Sequence, residues 1–290
     1  MATGWTTTGS LADSLDDVRS SARIIREYEG VMPNLCDMIT LGEGIGLSWQ
    51  EISYAQLTAQ AVTETTELDN PQQIADTLLT ITPTVVGIET FITDRVKARI
   101  SKKGFAKIGS LAQNAIQRKK DDDGTVLFAS GTGTADPGTG TTMASGYIAA
   151  CVANISGNTT EPGMKPFRCV LHPFQIKDLY DELVAGVGSY VVTDGLTARV
   201  FTEGFTLPVA GCEVYPDGNI TISGTDATGG VFAKEGIVCV QGRSARVVDV
   251  RNEKRGGGGN HVYHYDEYAY GIRTSSWVYS MTSDATAPTS

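Results

Sequence analysis

Histidine, paired cysteine and long apolar runs are scarce in this chain, and each scarcity excludes something. Among 290 residues there are three histidines, His172, His261 and His264. A Ser-His-Asp site would draw on one of them, yet no GxSxG occurs and none of the three sits in a nucleophile context. His172 stands at the end of an expected strand, just before Pro173, where a partly buried polar residue is ordinary. The chain holds no HExxH and no GxxxxGKS/T, so zincin and P-loop chemistries have no motif to rest on. "GEGIG" at 42–46 resembles half of a dinucleotide fingerprint, but its next glycine is wrongly spaced and no helix is expected after it. Five cysteines, at 36, 151, 169, 212 and 239, are odd in number, far apart and form no CxxC. That excludes zinc-ribbon and thioredoxin-type readings and leaves free thiols in a reducing compartment. No run of eighteen apolar residues exists, so no helix is long and apolar enough to cross a membrane. The opening "MATGWTTTGSLADSLDD" lacks a basic region and an apolar core, so no signal peptide is expected. Sequons at Asn154, Asn158 and Asn219 therefore carry no reading.

Positive charge is missing from one long span. Between Glu27 and Asp94 there is no lysine or arginine, while eleven acids occur: Glu27, Glu29, Asp37, Glu43, Glu51, Glu64, Glu67, Asp69, Asp76, Glu89 and Asp94. From Arg95 to Lys120 the sign inverts, with nine bases and no acid, and "DDD" follows at 121–123. The net charge of -10 argues against a dedicated nucleic-acid binder, since phosphate affinity needs lysine and arginine. Segregated blocks instead want a partner of opposite sign, either the acidic hairpin of a neighbouring copy, which is the economical version, or enclosed nucleic acid. A solvated helix face is the plainer reading of the basic block.

What is present reads as a folded chain, 41% hydrophobic and 19% charged. Leu11, Leu15, Val18, Ala22 and Ile25 mark one helical face over 10–29, with Ser10 as N-cap and Gly30 and Pro33 as stops. "GEGIGLSWQEISY" and "LLTITPTVVGIETFIT" read as β-rich arms of a long hairpin with a polar tip between them. Such a ribbon is marginal in water and needs another surface. Over 94–119 a basic helix is expected, capped by Thr93, with Val96, Ile100, Ile108, Leu111 and Ala115 as its apolar stripe. Gly104 and Gly109 cost it roughly 1 kcal/mol each against alanine. "ASGTGTADPGTGTT" at 129–142 is a low-complexity connector and the expected domain boundary. A mixed region follows: helix "TTMASGYIAACVAN", buried strand "FRCVLHP", helix "FQIKDLYDELVAG", then strands "ARVFT", "CEVYP", "NITIS" and "GIVCVQ".

The chain closes with "ARVVDV" and "HVYHYDEYAYGIRTSSWVYSM", aromatic-rich strands around four glycines. In a strand alternate residues share a face, so His261 and His264 point oppositely and cannot chelate one ion. His264 and Asp266 share a face but lack a third ligand. Asp266 and Glu267 point oppositely too, which spoils a glycosidase pair and leaves them as surface or interface charges. A phosphate loop precedes a helix, whereas this tetraglycine stands between strands and reads as a hairpin tip.

The order of these parts resembles the major capsid protein of tailed double-stranded DNA bacteriophages, an α+β fold shared with herpesvirus capsid floors and encapsulins. "LGEGIGLSWQEISYAQLTAQAVTE" and "LTITPTVVGIETFITDRV" resemble the extended loop and its entry into the spine helix. "SLAQNAIQRKKDDDG" resembles the end of that helix, "CVLHPFQIKDLYDEL" a strand and helix of the axial domain, and "HVYHYDEYAYGIRTSSWVYSMTSDA" the closing peripheral strands. The likeness covers about residues 10–285.

The resemblance implies a partition. It runs N-terminal arm 1–39, extended loop 40–92, spine helix of the peripheral domain 93–129, axial domain 130–246, peripheral strands 247–282 and flexible tail 283–290. It also implies self-assembly through hexamers and pentamers into an icosahedral shell in the host cytoplasm. That shell would enclose double-stranded DNA without sequence specificity and work with a portal protein and any separate scaffold or decoration protein. No enzymatic activity, cofactor or metal is implied. Expected interface residues are Leu47, Trp49, Glu51, Glu64 and Glu67 on the loop and Arg95, Arg99, Lys102, Lys103 and Lys107 on the helix. Lys254, Arg255, Gly256, Gly257, Gly258 and Gly259 at the hairpin tip complete them. Some family members join copies covalently through a loop lysine; here the loop has none, so that chemistry is not expected. An encapsulin-type cargo shell and a soluble α/β enzyme using His172 or Asp266 are the alternatives.

Overall fold

The computed structural model describes residues 30–44, 46–65, 71–99, 102–131, 133–185, 208–254 and 257–288. The helix expected over 10–29 and the strand "ARVFT" lie outside the described residues. One strand organises the first sheet: β12 (Gly259–Ile272), whose alternating aromatic and polar residues give it two usable faces. On one edge it pairs antiparallel with β4 (Thr84–Thr93). On the other edge it pairs first with β11 (Arg246–Asn252) and then with β10 (Ile237–Gln241). Tyr268 pairs with both Thr84 and Gln241, which fixes β4 and β10 on opposite edges. Beyond β10, β1 (Asp37–Thr40) adds in parallel.

The basic stretch forms two described helices, α2 (Asp94–Arg99) and α3 (Lys102–Thr125), after the short α1 (Met32–Leu35). Thr93 Oγ1 accepts the Val96 N–H at 3.4 Å, as expected of an N-cap. The inward stripe differs from the expected one. Val96, Ala112 and Ile116 are buried, while Leu111 is 42% exposed. The stripe continues one turn further on through Lys120 and Asp121, both buried, and the helix runs through "DDD" to Thr125. A one-residue offset rotates a helix by about 100°, which moves Leu111 to the rim.

A second sheet has the order β5 (Gly133–Thr134), β13 (Val278–Asp284), β9 (Asp226–Ala233), β6 (Phe167–Leu171), β7 (Cys212–Pro216), with β8 (Ile222–Ser223) also on β9. Helices α4 (Ser145–Ser156) and α5 (Pro173–Ala185) cover one face, where Ile148, Cys151 and Ile155 meet Cys169, Val231, Leu179 and Met281. The start of α5 shows why His172 stands there. Its Nδ1 accepts the Phe174 N–H at 3.2 Å, and its own N–H donates to Gln175 Oε1 at 2.9 Å, a reciprocal cap. Burial lowers the imidazole pKa, which keeps Nδ1 free to accept. Two carboxylates of α5 satisfy the chain entering α4: Met143 N–H donates to Asp178 and Ser145 N–H to Glu182.

The two sheets share a core. Phe128, in the 3₁₀ turn Val126–Ser130 after α3, packs with Met32, Leu35, Val170, Phe232, Ile237, Cys239 and Val278. Gly230 of β9 leaves the space its ring fills; a Cβ there would collide with it. All five cysteines are buried and free, and burial pushes the Cys151 thiol up to about 12.

Three expectations change. The connector at 129–142 contains β5 and is tied down, with the Gly140 N–H donating to Asp226 at 2.8 Å. The sheets also exchange strands across the 246/247 boundary, since β10 pairs with β12 and β13 with β9. The tail at 283–290 is not free at its start. Ser283 Oγ accepts from the Gln175 amide at 2.7 Å, the Ala285 N–H donates to Thr225 O at 2.7 Å, and Ala285 is buried.

Candidate subunit interface

The hairpin expected from "SWQEISY" forms as an antiparallel pair, β2 (Trp49–Tyr54) with β3 (Asp76–Ile81). The second arm divides at Pro83, which has no N–H for a ladder; from Thr84 the chain joins β12 instead. Among the described residues the ribbon is anchored at its base. Ile81 packs on Val238 and Val240 together with Trp49, Leu79 and Ile39, and sits where Gly271 lacks a side chain. Arg273 completes the anchor. Its Nε donates to Glu51 at 2.7 Å, Nη2 to Asp37 at 3.0 Å and Nη1 to the Glu235 carbonyl at 2.6 Å, with the guanidinium 6.0 Å from the Trp49 ring centre.

Past that base the ribbon leaves its apolar side chains bare of the other described residues. Ile52, Tyr54, Leu57, Val62, Ile74 and Leu78 are each more than half exposed. The two arms stay together through the Ala55 N–H to Ala75 O bond at 2.8 Å and the Thr58 N–H to Gln72 Oε1 bond at 2.8 Å. A two-stranded ribbon with this much bare apolar surface has the character of an interaction element.

The expected interface residues fall into distinct settings. Trp49 and Glu51 are used inside the chain, as the anchor shows. Leu47 does not share Trp49's setting and is 76% exposed, because it lies before the strand begins. Glu64 is exposed in a turn, and Glu67 is outside the described residues. Arg95 and Arg99 are exposed on α2; Lys102, Lys103 and Lys107 lie in α3, with side chains outside the description. The base run is not one solvated face. Lys119 pairs with Asp123 one turn on, whereas Lys120 turns inward to Asp266 at 3.4 Å and to Gln241.

The tetraglycine is the tip of the β11–β12 hairpin, with Arg255 and Gly256 outside the described residues and Lys254 exposed. Gly257 (φ 98°) and Gly258 (φ 79°) take the left-handed conformation that favours glycine. Gly259 begins β12 opposite Asn252. The tip is tied to the start of α2. Asp94 donates its N–H to Gly258 O at 3.1 Å, and Arg251 grips the Asp94 carboxylate with two nitrogens at 2.8 and 3.2 Å. That grip holds the Asp94 carboxyl below its ordinary range.

Asp266 corrects the sequence reading most sharply. Expected as a surface charge, it is 4% exposed, faces α3, and is held by Lys120 and the Gln241 amide. Several acids of the negative block also find partners within the chain: Asp37 and Glu51 with Arg273, Asp94 with Arg251, Glu89 with His261. His261 and His264 do point to opposite faces. His261 meets Glu89 and Asn252, and His264 is buried. Arg273 was missed by sequence reasoning. Its one signal was a lone base ending an aromatic strand in an acid-rich chain.

A cleft of about 390 Å³ surrounds Arg273, lined by Asp37, Glu51, Glu161, Glu235 and Trp277. It offers carboxylates and a guanidinium already bonded to one another. Among the described residues no group of three or more His, Cys, Asp or Glu side chains could hold a metal ion.

Comparison with known proteins separates sequence from fold. No family model matches the chain, and no curated protein matches it. Solved structures match over nearly the whole length. The capsid of cyanophage P-SCSP1u is 14% identical with a TM-score of 0.68, covering 92% of each chain. A structure from Mycobacterium phage Che8 is 14% identical with a TM-score of 0.71, covering 90% of this chain and 95% of that one. The capsid of Ralstonia phage GP4 is 11% identical with a TM-score of 0.69, covering 93% and 95%. Over at least nine-tenths of its length the protein therefore has the α+β fold of tailed-phage major capsid proteins.

Proposed function

We propose that this protein is a major capsid protein: copies of it assemble into an icosahedral shell around a phage's double-stranded DNA. The observation that carries the reading is the ribbon β2–β3, an element that cannot bury itself, on a fold shared with capsid chains. The ribbon's bare apolar face lies on a neighbouring copy, centred on Ile52, Tyr54 and Leu78 with Leu47 and Glu64 at its margin. Trp49 and Glu51 serve that contact indirectly, by fixing the base. Arg95 and Arg99 of α2, the α3 lysines Lys102, Lys103 and Lys107, and the tip from Lys254 to Gly259 complete the contacts or face the packaged DNA. In parts, this is an arm at 1–39, a loop at 40–92, a spine at 93–129, an axial region at 130–246 that lends β10 to the first sheet, and closing strands from 247 that lend β13 to the second. Hexamers and pentamers build the shell, which joins a portal and works with a separate scaffold or decoration protein where one is used. Weak individual contacts suffice, because a shell multiplies them. Electron microscopy of the purified protein tests the reading: shells or five- and six-fold rings are expected. A protein that stays monomeric at every concentration and salt tried would refute it. Shells packed with a cargo enzyme and no DNA would move it to the encapsulin class.

A further inference from the structure

Two buried carboxyls meet where three separate segments join. Asp121 lies in the last turns of α3 and Asp217 just after β7; both are 0% exposed. Each oxygen of Asp121 already accepts a hydrogen bond. Oδ1 takes the Met32 N–H at 2.9 Å and Oδ2 takes the Asn219 side-chain amide at 2.8 Å. Gly30 packs against the same carboxyl, and a Cβ on it would sit 2.6 Å from the Asp121 Cβ. Asp217 Oδ1 accepts the Asn219 N–H at 2.8 Å, but its Oδ2 is buried with no partner.

An orphaned buried oxygen costs about 1–3 kcal/mol, and an unpaired buried carboxylate more. Both costs vanish if Oδ2 carries a proton and donates it to Asp121, whose carboxylate is bridged to Asp217 by the same Asn219. The surrounding charges favour that state. Those acting on Asp217 come from α3 and are both acidic, Asp121 and Asp122. On α3, Lys120 is committed to Asp266 and Gln241. From β12, Tyr270 is the titratable group that senses Asp121. α1, with sequence MPNL, presents only its backbone N–H, and β6 only the Leu171 carbonyl, which accepts the Asp217 N–H.

We propose that Asp121 and Asp217 form a proton-sharing latch that pins the chain at Gly30–Met32 and the Asp217–Ile220 loop to the end of α3, and that loss of the shared proton opens it. With the proton present, Asp121 is the anion that holds Met32 and Asn219, and Asp217 is the neutral donor. Without it, two carboxylates face each other with no ion-pair partner among the described residues, and the loop and the Gly30–Met32 segment separate. Burial, then Asp121, raise the Asp217 carboxyl to about 7, which sets opening near neutral pH. The latch gives Gly30–Met32 a docked state that acid favours and base releases.

Amide hydrogen exchange on the full-length protein tests this. Exchange at Met32 and Asn219 is read relative to β9 and β13 amides, so that base catalysis of exchange cancels. The expected result is a fall in relative protection of at least about tenfold between about pH 6 and about pH 8. Asp217→Asn donates to Asp121 at every pH, so its profile should be flat. Constant relative protection in the wild type, or a persistent fall in the variant, would overturn the proposal. If the variant does not fold, difference infrared spectroscopy of the wild type decides. A protonated-carboxyl band must titrate away over the same pH range, and its absence refutes the latch.

Discussion

Replacing Arg273 with alanine should loosen the ribbon's base without unfolding the body. The side chain is 19% exposed and makes three hydrogen bonds, to Glu51, Asp37 and the Glu235 carbonyl. Bonds to charged groups contribute about 1.5–3 kcal/mol each where both partners are dry. Asp37 and Glu51 each keep 35% exposure, so water recovers much of that when the arginine is gone. What remains is the repulsion of two carboxylates held close together and the lost packing on Trp49, for a total of about 3 kcal/mol. The loss falls on one element. Ile81 still packs on Val238 and Val240, while β12 and β13 keep their ladders. Hydrogen exchange should accelerate ~100-fold in β2 and β3 but little in β9, with the urea midpoint lowered only modestly. Arg273→Lys keeps the charge and loses the fork, so it should fall between the two. Unchanged exchange in β2 and β3, or equal acceleration everywhere, would show that Arg273 does not hold the ribbon.

Other perturbations have defined outcomes. Asp266→Ala leaves the Lys120 ammonium buried beside Gln241 and should destabilise the fold by about 3–5 kcal/mol in urea titration, while Asp249→Ala on the exposed edge should cost under about 0.5. Stability of the wild type should fall as pH rises from about 4 to about 7. The folded state keeps the Asp217 proton that the unfolded state has shed, so the difference is lost once pH passes the folded value; relative to Asp217→Asn the drop should be roughly 2–4 kcal/mol, and parallel curves would count against it. Excising 55–75 and closing Tyr54 to Asp76 with Asn-Gly should leave near-native circular dichroism and abolish shells; normal shells would dismiss the ribbon as an interface. Reversing Lys102, Lys103 and Lys107 to glutamate should weaken assembly or genome retention, and no change across salt concentrations would mark that helix face as merely solvated.

Elements were more legible than their neighbours. The alternation in "HVYHYDEYAY" located β12 and set His261 opposite His264, because strand geometry alone fixes that relation. Thr93 as a cap and the tetraglycine as a tip were readable from local chemistry. The inward turn of Lys120 was not. Within a run of bases, one helical step separates a residue paired with Asp123 from one paired with Asp266, 146 residues away. Asp121 was hidden in "DDD" for the same reason. Strand exchange between the sheets also left no local trace, since nothing within β10 or β13 specifies which strand it pairs with. The ribbon's exposure was legible from its length, because a two-stranded ribbon is marginal in water and needs another surface.

The most direct test is a cryo-electron microscopy reconstruction of the assembled protein at side-chain resolution. The account predicts a closed shell in which Ile52, Tyr54 and Leu78 of each ribbon are covered by an adjacent copy, with Arg273 still joining Asp37 and Glu51 at the base. Shells whose ribbons lie free in solvent, or a ribbon folded back on its own subunit, would contradict it.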